Sequence, residues 1–336
     1  MSTAANWETT RDLMSGPMRA ALGRLDPTTR QLCGYQLGLW DEHGVESADG
    51  AGKGARPALA LLSARAAGAD PAAAFPAAVA VELVHNFSLI HDDLMDRDRQ
   101  RRNRTTVWAQ WGSSPAILAG DAMLSLANEV LAEAPSPTTA WAVRCLNATT
   151  RRLIAGQTAD LAFETRDDVG IDECMAMASD KTAALFGCAA SLGAVLVDAP
   201  AGLAMDLAEF GQRIGLAFQV VDDMLGIWGE PELTGKPVGS DLRSHKKSMP
   251  VVAAMDGSGA ASAELRDCYL GTDETGDDWV LAVTALVDRA GGRRWAEDTV
   301  ARETTGAIAV LDRLGLPGPV DHELRMLAEQ LSRRER

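Results

Sequence analysis

Apolar residues recur every three or four positions along most of this chain, and no comparable stretch alternates with a period of two. This spacing predicts α-helices. The segments that carry it are 57–67, 72–96, 113–134, 138–163, 171–197 and 201–227. Clusters of glycine, proline and aspartate separate them, and the absence of a repeat of about 20–50 residues argues against a helical solenoid. We predict one all-α domain over residues 1–336, a bundle of roughly a dozen helices.

A composition rich in small and aliphatic side chains supports this prediction. Hydrophobic residues make up 46% of the 336 positions, whereas aromatic residues make up only 5%. A β-sandwich would need more β-branched and aromatic residues, so the composition favours helices. The five cysteines form no CxxC pair and are expected to be buried thiols in a reducing compartment.

The N-terminus and the charge balance narrow the class of protein. The first residues lack the basic and apolar regions of a signal peptide, and apolar runs such as 189–197 are shorter than the roughly 20 residues that cross a bilayer. We therefore expect a cytoplasmic protein without a transmembrane segment. The 32 basic and 47 acidic residues give a net charge of −15, which argues against a protein that binds nucleic acid.

Two apolar segments each end in adjacent aspartates. Asp92, Asp93 and Asp96 follow the first, and Asp222 and Asp223 follow the second. Side chains four residues apart, such as Asp92 and Asp96, share one face of a helix. They repel each other and oppose the negative end of the helix dipole, so a bound cation would stabilise them. One such cluster is typical of a solvated acidic surface, but two favour a site for Mg²⁺, which prefers carboxylate oxygens.

Basic residues lie near both acidic segments. Five of the eight residues in 97–104 are arginines, and Lys236, Arg243, Lys246 and Lys247 follow the second segment. Lys53 and Arg56 stand in a glycine-rich stretch just before a predicted helix. Carboxylates that hold Mg²⁺, flanked by arginine and lysine, are suited to bind a diphosphate.

In this order, the motifs resemble those of the trans-isoprenyl diphosphate synthase (polyprenyl synthetase) family, and within it bacterial geranylgeranyl diphosphate synthases. The resemblance extends from about residue 50 to 255. The matching motifs are GKxxRP at 52–57, ExxH at 82–85, DDxxD at 92–96, Arg101-Arg102, Gly120-Asp121, Gly156-Gln157, Lys181-Thr182, FQxxDD at 218–223 and GKPxGSD at 235–241, followed by Lys246 and Pro250. It implies an isoprenoid synthase fold with a central active-site cavity, and residues 256–336 are expected to add C-terminal helices.

The resemblance also implies a Mg²⁺-dependent transferase that joins isopentenyl diphosphate head-to-tail (1'-4) to an allylic diphosphate. The resemblance assigns metal binding to Asp92, Asp96, Asp222 and Asp223. It assigns binding of the diphosphate of isopentenyl diphosphate to Lys53, Arg56, His85 and Arg102. It assigns binding of the allylic diphosphate to Arg101, Lys181, Thr182, Gln219, Lys236 and Lys246. The residues expected to act in catalysis are Asp92, Asp93, Asp96, Arg101, Lys181, Asp222 and Lys236.

Two residues before the first aspartate motif bear on product length. Phe87 lies five positions before Asp92, and Ser88 lies four before it. In the family, bulk at these positions closes the tunnel that holds the growing chain. An aromatic residue at the first position with a small residue at the second predicts geranylgeranyl diphosphate, which has twenty carbons. The alternative is that Phe87 simply packs in the core.

Three positions depart from the commonest family pattern. Gly226 stands where a third aspartate often ends the second motif, and Asp241 is a candidate to compensate for it. Gly54 replaces a frequent basic residue, and Thr105 replaces a frequent proline. We interpret these departures as variation within the family.

Two other functions are compatible with parts of the pattern. A class I terpene cyclase ionises the same diphosphates but needs no isopentenyl site, so the set of basic residues assigned to that site favours coupling. A non-catalytic subunit of a heteromeric synthase would be consistent with Gly226, but Arg101 and Arg102 are both present. The resemblance further implies a homodimer.

Overall fold

The structure, a computed structural model, describes residues 7–47, 52, 54–230, 237–271 and 274–333. In chain order its helices are α1 (Trp7–Leu22), α2 (Pro27–Gln36), α3 (Ala55–Ala66), α4 (Phe75–Met95), α5 (Val107–Trp111), α6 (Ser113–Ala132), α7 (Thr139–Glu164), α8 (Ile171–Ala178), α9 (Ala184–Leu196), α10 (Ala201–Trp228), α11 (Ser240–Arg243), α12 (Met249–Met255), α13 (Ala260–Leu270), α14 (Asp277–Arg289), α15 (Gly292–Leu314) and α16 (Gly318–Arg333). The all-α prediction is confirmed.

The ends of the helices follow from local chemistry. A 3₁₀ turn, Pro71–Ala74, leads into α4, and the side chain of Asp70 caps it by accepting a hydrogen bond from the amide of Ala72 at 2.8 Å. Pro76 stands in the first turn of α4, where a missing N–H costs nothing because that group would have no partner in the helix. The interior of α4 is apolar and almost wholly buried. The helix therefore carries its acidic end on a rigid support.

The predicted helix over 171–197 is interrupted. It divides into α8, a π-helical turn at Ser179–Ala183, and α9. The apolar period continues through the interruption, so periodicity alone did not reveal it. Single π turns inside helices occur frequently at functional sites, because the extra residue in the turn redirects neighbouring side chains.

A short hairpin follows α4 and is the one paired β-structure longer than a single bridge in the described part of the chain. Strand β1 (Gln100–Arg101) pairs antiparallel with β2 (Arg104–Thr105), with Arg101 opposite Arg104. The two turn residues, Arg102 and Asn103, have φ angles of 51° and 60°. Positive φ at both positions is the geometry of a tight two-residue hairpin turn. The sequence pattern did not predict this element, since four residues are too few to show an alternation.

The chain divides into two compact units. The first comprises Met1–Thr150, Leu185–Gly211 and Leu311–Leu327, and in it α4 packs chiefly against α6 and α3. The second comprises Arg151–Ala184, Gln212–Val310 and Ala328–Arg336. Its core joins residues of α10 and α12 to residues of α13 and α14, among them Val220, Val252 and Val283. The expected C-terminal helices after residue 256 are present, whereas the single domain remains a prediction.

One helical stretch of the described chain, Pro71–Met95, is long and apolar enough to cross a membrane. The expectation that no apolar stretch reaches this length was therefore wrong. About two thirds (67%) of its most apolar window is buried inside the protein, and core helices of soluble proteins pass the same test. This stretch contains α4, so we interpret it as a core helix.

Candidate active site

The three carboxylates at the C-terminal end of α4 differ in how deeply they are buried. Asp93 is buried and accepts a hydrogen bond of 2.6 Å from Nε of Arg101. Asp92 is half-buried, and Asp96, the residue that caps the helix, is exposed. Asp92 and Asp96 lie one helical turn apart and are accessible to a cation, whereas Asp93 holds the following hairpin against the helix.

Burial changes the acidity of Asp93. Removal from water raises its pKa to about 6, although the guanidinium of Arg101 acts in the opposite direction. Its Oδ2 atom is buried and accepts no hydrogen bond. Arg101 is therefore the group that keeps this carboxylate ionised near neutral pH.

The hairpin turn carries Arg102 toward the glycine-rich segment before α3. A Cβ atom placed on Gly52 would lie 2.9 Å from Nη1 of Arg102, so the guanidinium lies directly over this glycine. Lys53, which the sequence assigns to the same diphosphate, lies outside the described residues.

Arg56 and His85 complete a basic cluster in the first unit. The guanidinium of Arg56 stacks on the ring of Phe186 at 4.3 Å, and its Nε is buried without a hydrogen-bond partner. The pKa of Arg56 is lowered to about 10, chiefly by burial; Glu82 acts against this shift and the charge of Arg102 adds to it. For His85, burial and then the charges of Arg56, Arg102 and Arg101 hold the pKa well below its usual value, so the imidazole is neutral.

A cavity of about 210 Å³ lies in the first unit, beside the glycine-rich segment that precedes α3. Its lining includes Gly52, Gly54 and Glu82, and α1 contributes Arg11 and Asp12 to it. The charge of Arg102 acts on Arg56, and an anion bound close to both guanidinium groups would stabilise them. The arrangement is therefore suited to a small phosphorylated ligand.

The second aspartate motif, near the end of α10, is tied into the second unit by hydrogen bonds. Asp223 is buried; its Oδ1 accepts from the Gln219 amide at 3.0 Å, and its Oδ2 accepts from the backbone of Met249 at 3.0 Å. Burial raises the pKa of Asp223 to about 6, and nearby Lys246 acts against that rise. Both oxygens of Asp223 are thus engaged, and its predicted bond to a metal would use the remaining lone pairs.

Lys246 faces carboxylates from two elements. Its Nζ lies 3.8 Å from Oδ1 of Asp223 and 3.8 Å from Oδ2 of Asp241. Burial alone would lower the pKa of Lys246, but Asp223, Asp241 and the other nearby carboxylates outweigh it and raise the pKa above its usual value. The side chain is therefore a permanent cation. Lys236 lies outside the described residues.

The π turn presents Lys181 and Thr182 to neighbouring helices. Nζ of Lys181 lies 2.5 Å from the carboxylate of Asp160, and Oγ1 of Thr182 donates to Oε1 of Gln219 at 2.7 Å. A Cβ on Gly156 would lie 2.7 Å from Cα of Lys181, so only glycine lets α7 approach this turn. Hydrogen bonds therefore run in series from Thr182 through Gln219 and Asp223 to the backbone at 249.

Aromatic residues beyond the recognised motifs hold the segment that carries Lys246. The hydroxyl of Tyr269 donates to the backbone oxygen of Lys246 at 2.8 Å. The ring of His245 lies 5.3 Å from that of Tyr269 and 4.8 Å from that of Trp279. Sequence reasoning missed this support. The available signal was that Tyr269 is one of only two tyrosines in the chain.

The two residues predicted to set product length are both buried in the first unit. Phe87 packs edge-on against His91, with ring centroids 5.5 Å apart. Ser88 donates a hydrogen bond of 2.8 Å from its hydroxyl to the backbone oxygen of His85. Their influence on product length remains a prediction.

The donor set fits magnesium. In the part of the chain that the structure describes, no three histidine, cysteine, aspartate or glutamate side chains converge as a complete metal cage. Mg²⁺ needs no such cage, because it binds through one or two carboxylates and completes its shell with water and substrate phosphates. Asp92 and Asp96 provide hard carboxylate oxygens one helical turn apart, and Asp222 provides another on α10.

The predicted residues gather in both units. The first unit brings together Arg56, His85, Asp93, Arg101 and Arg102. The second brings together Lys181, Thr182, Gln219, Asp223 and Lys246, with Asp222 in the same unit. The roles assigned to all of these residues remain predictions.

Comparison with known proteins adds an independent finding. A family model described as polyprenyl synthetase matches residues 42–286. The chain is 50% identical over 329 residues to a (2E,6E)-farnesyl diphosphate synthase of Mycobacterium tuberculosis, covering 96% of this chain and 91% of that protein. It is 41% identical over 306 residues to a geranylgeranyl diphosphate synthase of the same species, covering 90% and 86%. The crystal structure of a polyprenyl synthetase from Streptomyces coelicolor A3(2) superimposes with a TM-score of 0.90 at 46% identity, covering 96% of this chain and 98% of that one.

Proposed function

The chain belongs to the polyprenyl synthetase family, and from that membership we propose that it joins isopentenyl diphosphate head-to-tail to an allylic diphosphate. Trans-prenyl diphosphate synthase activity is the common property of the relatives named above.

The basic cluster of the first unit is the observation that carries the proposal. The charges of Arg56, Arg101 and Arg102 all lower the pKa of His85. Nε of Arg56 is buried and has no hydrogen-bond partner. Arg101 is paired with Asp93, and an anion bound close to Arg56 and Arg102 would satisfy the buried nitrogen and offset the repulsion between these two charges. A diphosphate provides enough oxygens for several arginines at once. A terpene cyclase does not bind isopentenyl diphosphate and needs no such site, so the basic cluster favours a synthase that couples two diphosphates.

The reaction begins when the C–O bond between the allylic carbon and its diphosphate breaks. Magnesium, when bound by the aspartates, would supply charge stabilisation for the departing diphosphate. Lys246 remains charged and, with Lys181, stabilises negative charge that grows in the transition state. The double bond of isopentenyl diphosphate then attacks the allylic cation, a new C–C bond forms, and a proton passes to the released diphosphate.

The basic cluster contributes mainly by positioning. It would hold isopentenyl diphosphate by its diphosphate end, and the neutral imidazole of His85 could donate one hydrogen bond without adding a charge. Holding two reactants together removes much of the entropic cost of a bimolecular step. The buried apolar side chains of α4 would keep water away from the cation.

For the product we propose geranylgeranyl diphosphate. Phe87 is buried less than two turns before Asp92, which supports its action as the floor of the chain-holding tunnel. A second candidate is farnesyl diphosphate, favoured by the 50% identity to a farnesyl diphosphate synthase. Mass analysis of the products formed from isopentenyl and dimethylallyl diphosphates with Mg²⁺ distinguishes the two.

The same incubation tests the function itself. Incorporation of isopentenyl diphosphate supports a synthase, whereas hydrocarbon release from geranylgeranyl diphosphate alone would instead indicate a cyclase. If the folded protein incorporates no isopentenyl diphosphate with any allylic primer, the result would instead support a non-catalytic subunit of a heteromeric synthase.

We also propose that the enzyme is a single-domain cytoplasmic homodimer. Exposed apolar side chains on α6 and α7 support the dimer: Leu118 is 63% exposed and Trp141 is 56% exposed. The two helices are neighbours, since Asn147 donates a hydrogen bond to Asn128 at 2.7 Å. A second copy would cover this surface, and Leu118→Glu should then shift the sedimentation coefficient toward that of a monomer.

A further inference from the structure

The hairpin at 100–105 carries Arg101 and Arg102 but is too small to fix their positions by itself. Each of its strands has two residues, and an isolated pair of strands is only marginally stable in water. Its turn residues, Arg102 and Asn103, have positive φ, which residues other than glycine seldom adopt. The place of both guanidinium groups therefore depends on contacts with the rest of the first unit.

Strand β2 is joined to α2 by hydrogen bonds in both directions. The hydroxyl of Tyr35, in the last turn of α2, donates to the backbone oxygen of Thr105 at 2.7 Å. In return, Arg104 donates from Nη1 to the backbone oxygen of Tyr35 at 3.0 Å and from Nη2 to that of Trp40 at 3.1 Å. Both residues of β2 are thus bonded to α2 or to the segment that follows it.

The side chains of Tyr35 and Arg104 also stack. Cζ of Arg104 lies 3.9 Å from the centroid of the Tyr35 ring, where a cation is attracted by the face of an aromatic ring. A positive charge is also favourable at the C-terminal end of a helix, where Tyr35 stands. The ring is buried and packs edge-on against Trp111 of α5, with centroids 4.8 Å apart. Neither side chain can turn away without losing several contacts.

Helix α2 is a firm support for this pair. Asp26 caps its first turn by accepting hydrogen bonds from two backbone amides, at 3.0 and 3.1 Å. Leu32 and Cys33 are buried, and α2 packs against α6, which in turn packs against α4. The strand that carries Arg104 is therefore held in a fixed place relative to α4.

This support reaches Arg102 through the register of the hairpin. Arg104 lies opposite Arg101, and Arg102 stands in the turn between them. From this turn the guanidinium of Arg102 lies over Gly52, in the glycine-rich segment before α3. A displacement of β2 from α2 would move the turn and shift the guanidinium away from that segment. Arg101 is less sensitive to such a change, because Asp93 holds it from α4.

We propose that Tyr35 and Arg104 are positioning residues that set, through β2, where Arg102 meets the diphosphate of isopentenyl diphosphate. The inference rests on the proposed function. Both residues act through Arg102, since Arg104 points to α2 and the ring of Tyr35 is buried. Their loss should therefore weaken the binding of isopentenyl diphosphate more than that of the allylic substrate.

Two variants of different severity test this role. Arg104→Met keeps a long side chain but removes the charge and the hydrogen bonds, whereas Tyr35→Phe removes one hydroxyl. Calorimetry measures the dissociation constant of isopentenyl diphosphate, steady-state kinetics the KM of dimethylallyl diphosphate, and thermal unfolding the melting temperature. Arg104→Met should weaken isopentenyl diphosphate binding by about 10–100-fold, the effect of losing one hydrogen bond to a charged group. Tyr35→Phe should weaken it by a smaller factor, and the KM of dimethylallyl diphosphate should stay near that of the wild type.

Two further variants separate positioning from a general loss of stability. Arg24→Met removes ion pairs to Glu129 and Glu133 in the same unit, so it should lower the melting temperature without changing the binding of isopentenyl diphosphate. Arg104→Lys keeps the charge but lacks the planar fork that reaches two carbonyl oxygens. Its affinity for isopentenyl diphosphate should lie between those of Arg104→Met and the wild type.

Three results would overturn the inference. The first is a folded Arg104→Met protein that binds isopentenyl diphosphate as tightly as the wild type. The second is an equal loss of affinity for both substrates in that variant, and the third is an Arg24→Met protein that binds isopentenyl diphosphate as weakly as Arg104→Met. Failure of the proposed function is seen separately, as a wild-type protein that neither binds nor incorporates isopentenyl diphosphate.

Discussion

Asp93 and Arg101 form an ion pair of 2.6 Å in which the carboxylate is buried and the guanidinium is about one third exposed. The pair connects the end of α4 to the hairpin that carries Arg102. Its neighbours in the same motif, Asp92 and Asp96, are more exposed. We therefore expect the three aspartates to have different roles, and substitution of each should affect stability and activity differently.

Asp93→Ala should destabilise the protein. The change leaves Arg101 without its buried partner, and loss of one member of such a pair costs about 1–3 kcal/mol when the other member is partly solvated. Urea unfolding followed by circular dichroism measures the difference. An Asp93→Ala protein with wild-type stability would show that the pair does not hold the hairpin.

Asp92→Ala should have the opposite profile. The substitution removes one of the like charges at the negative end of a helix, so it should cost less stability than Asp93→Ala. Turnover with Mg²⁺ should fall by several orders of magnitude, and a chelator should abolish the wild-type reaction. Steady-state kinetics with a parallel unfolding curve checks both. Retention of full activity by folded Asp92→Ala would exclude a metal role for this residue.

His85 should make the protein less stable in mild acid. Its pKa lies well below the usual value in the folded state, so the unfolded chain gains a proton below about pH 6.5 that the folded chain does not. The stabilising difference is present above that pH and is lost as the pH falls. Between pH 7 and pH 5.5 the free energy of unfolding of His85→Gln should therefore fall by about 1 kcal/mol less than that of the wild type.

The control for this experiment is a histidine whose side chain is exposed to solvent. His43, whose side chain is 78% exposed, provides it as His43→Gln. Urea unfolding at the two pH values gives the free energies. Equal losses in the wild type and His85→Gln would show that His85 is protonated in the folded protein.

Phe87→Leu should lengthen the product. A shorter side chain would lower the floor of the proposed tunnel, and the product mass should increase by one or more isoprene units. Phe210→Leu, another fully buried phenylalanine of the first unit, is the control for a core that is merely loosened. Both variants should lose stability to a similar extent. An unchanged product from Phe87→Leu would assign Phe87 to packing alone.

The helices could be predicted from the sequence because their chemistry is local. The period of apolar residues placed α3, α4, α6, α7 and α10 to within a few residues at each end. The hairpin at 100–105 and the π turn at 179–183 were not predicted, since each depends on backbone angles over only a few residues. Product length could not be decided either, because it depends on the depth of a cavity and not on a motif.

The site could be predicted only where a motif identified its residues. The sequence named Asp241 as a candidate to compensate for Gly226, fifteen positions earlier, but no period or spacing shows that its carboxylate packs directly on that glycine. Tyr269 and Trp279 belong to no motif, yet they contact the segment that carries Lys246. Interactions across such distances arise from packing, which a single sequence does not display.

The aromatic support of Lys246 has a consequence for how such genes are read. A version of this chain that stopped soon after Pro250 would keep every recognised motif and would still be labelled a synthase in a genome. It would nevertheless lack the hydroxyl and the rings that hold the segment of Lys246 in place. For this architecture, an open reading frame with an intact set of signatures but a missing tail is better regarded as a pseudogene candidate than as a compact enzyme.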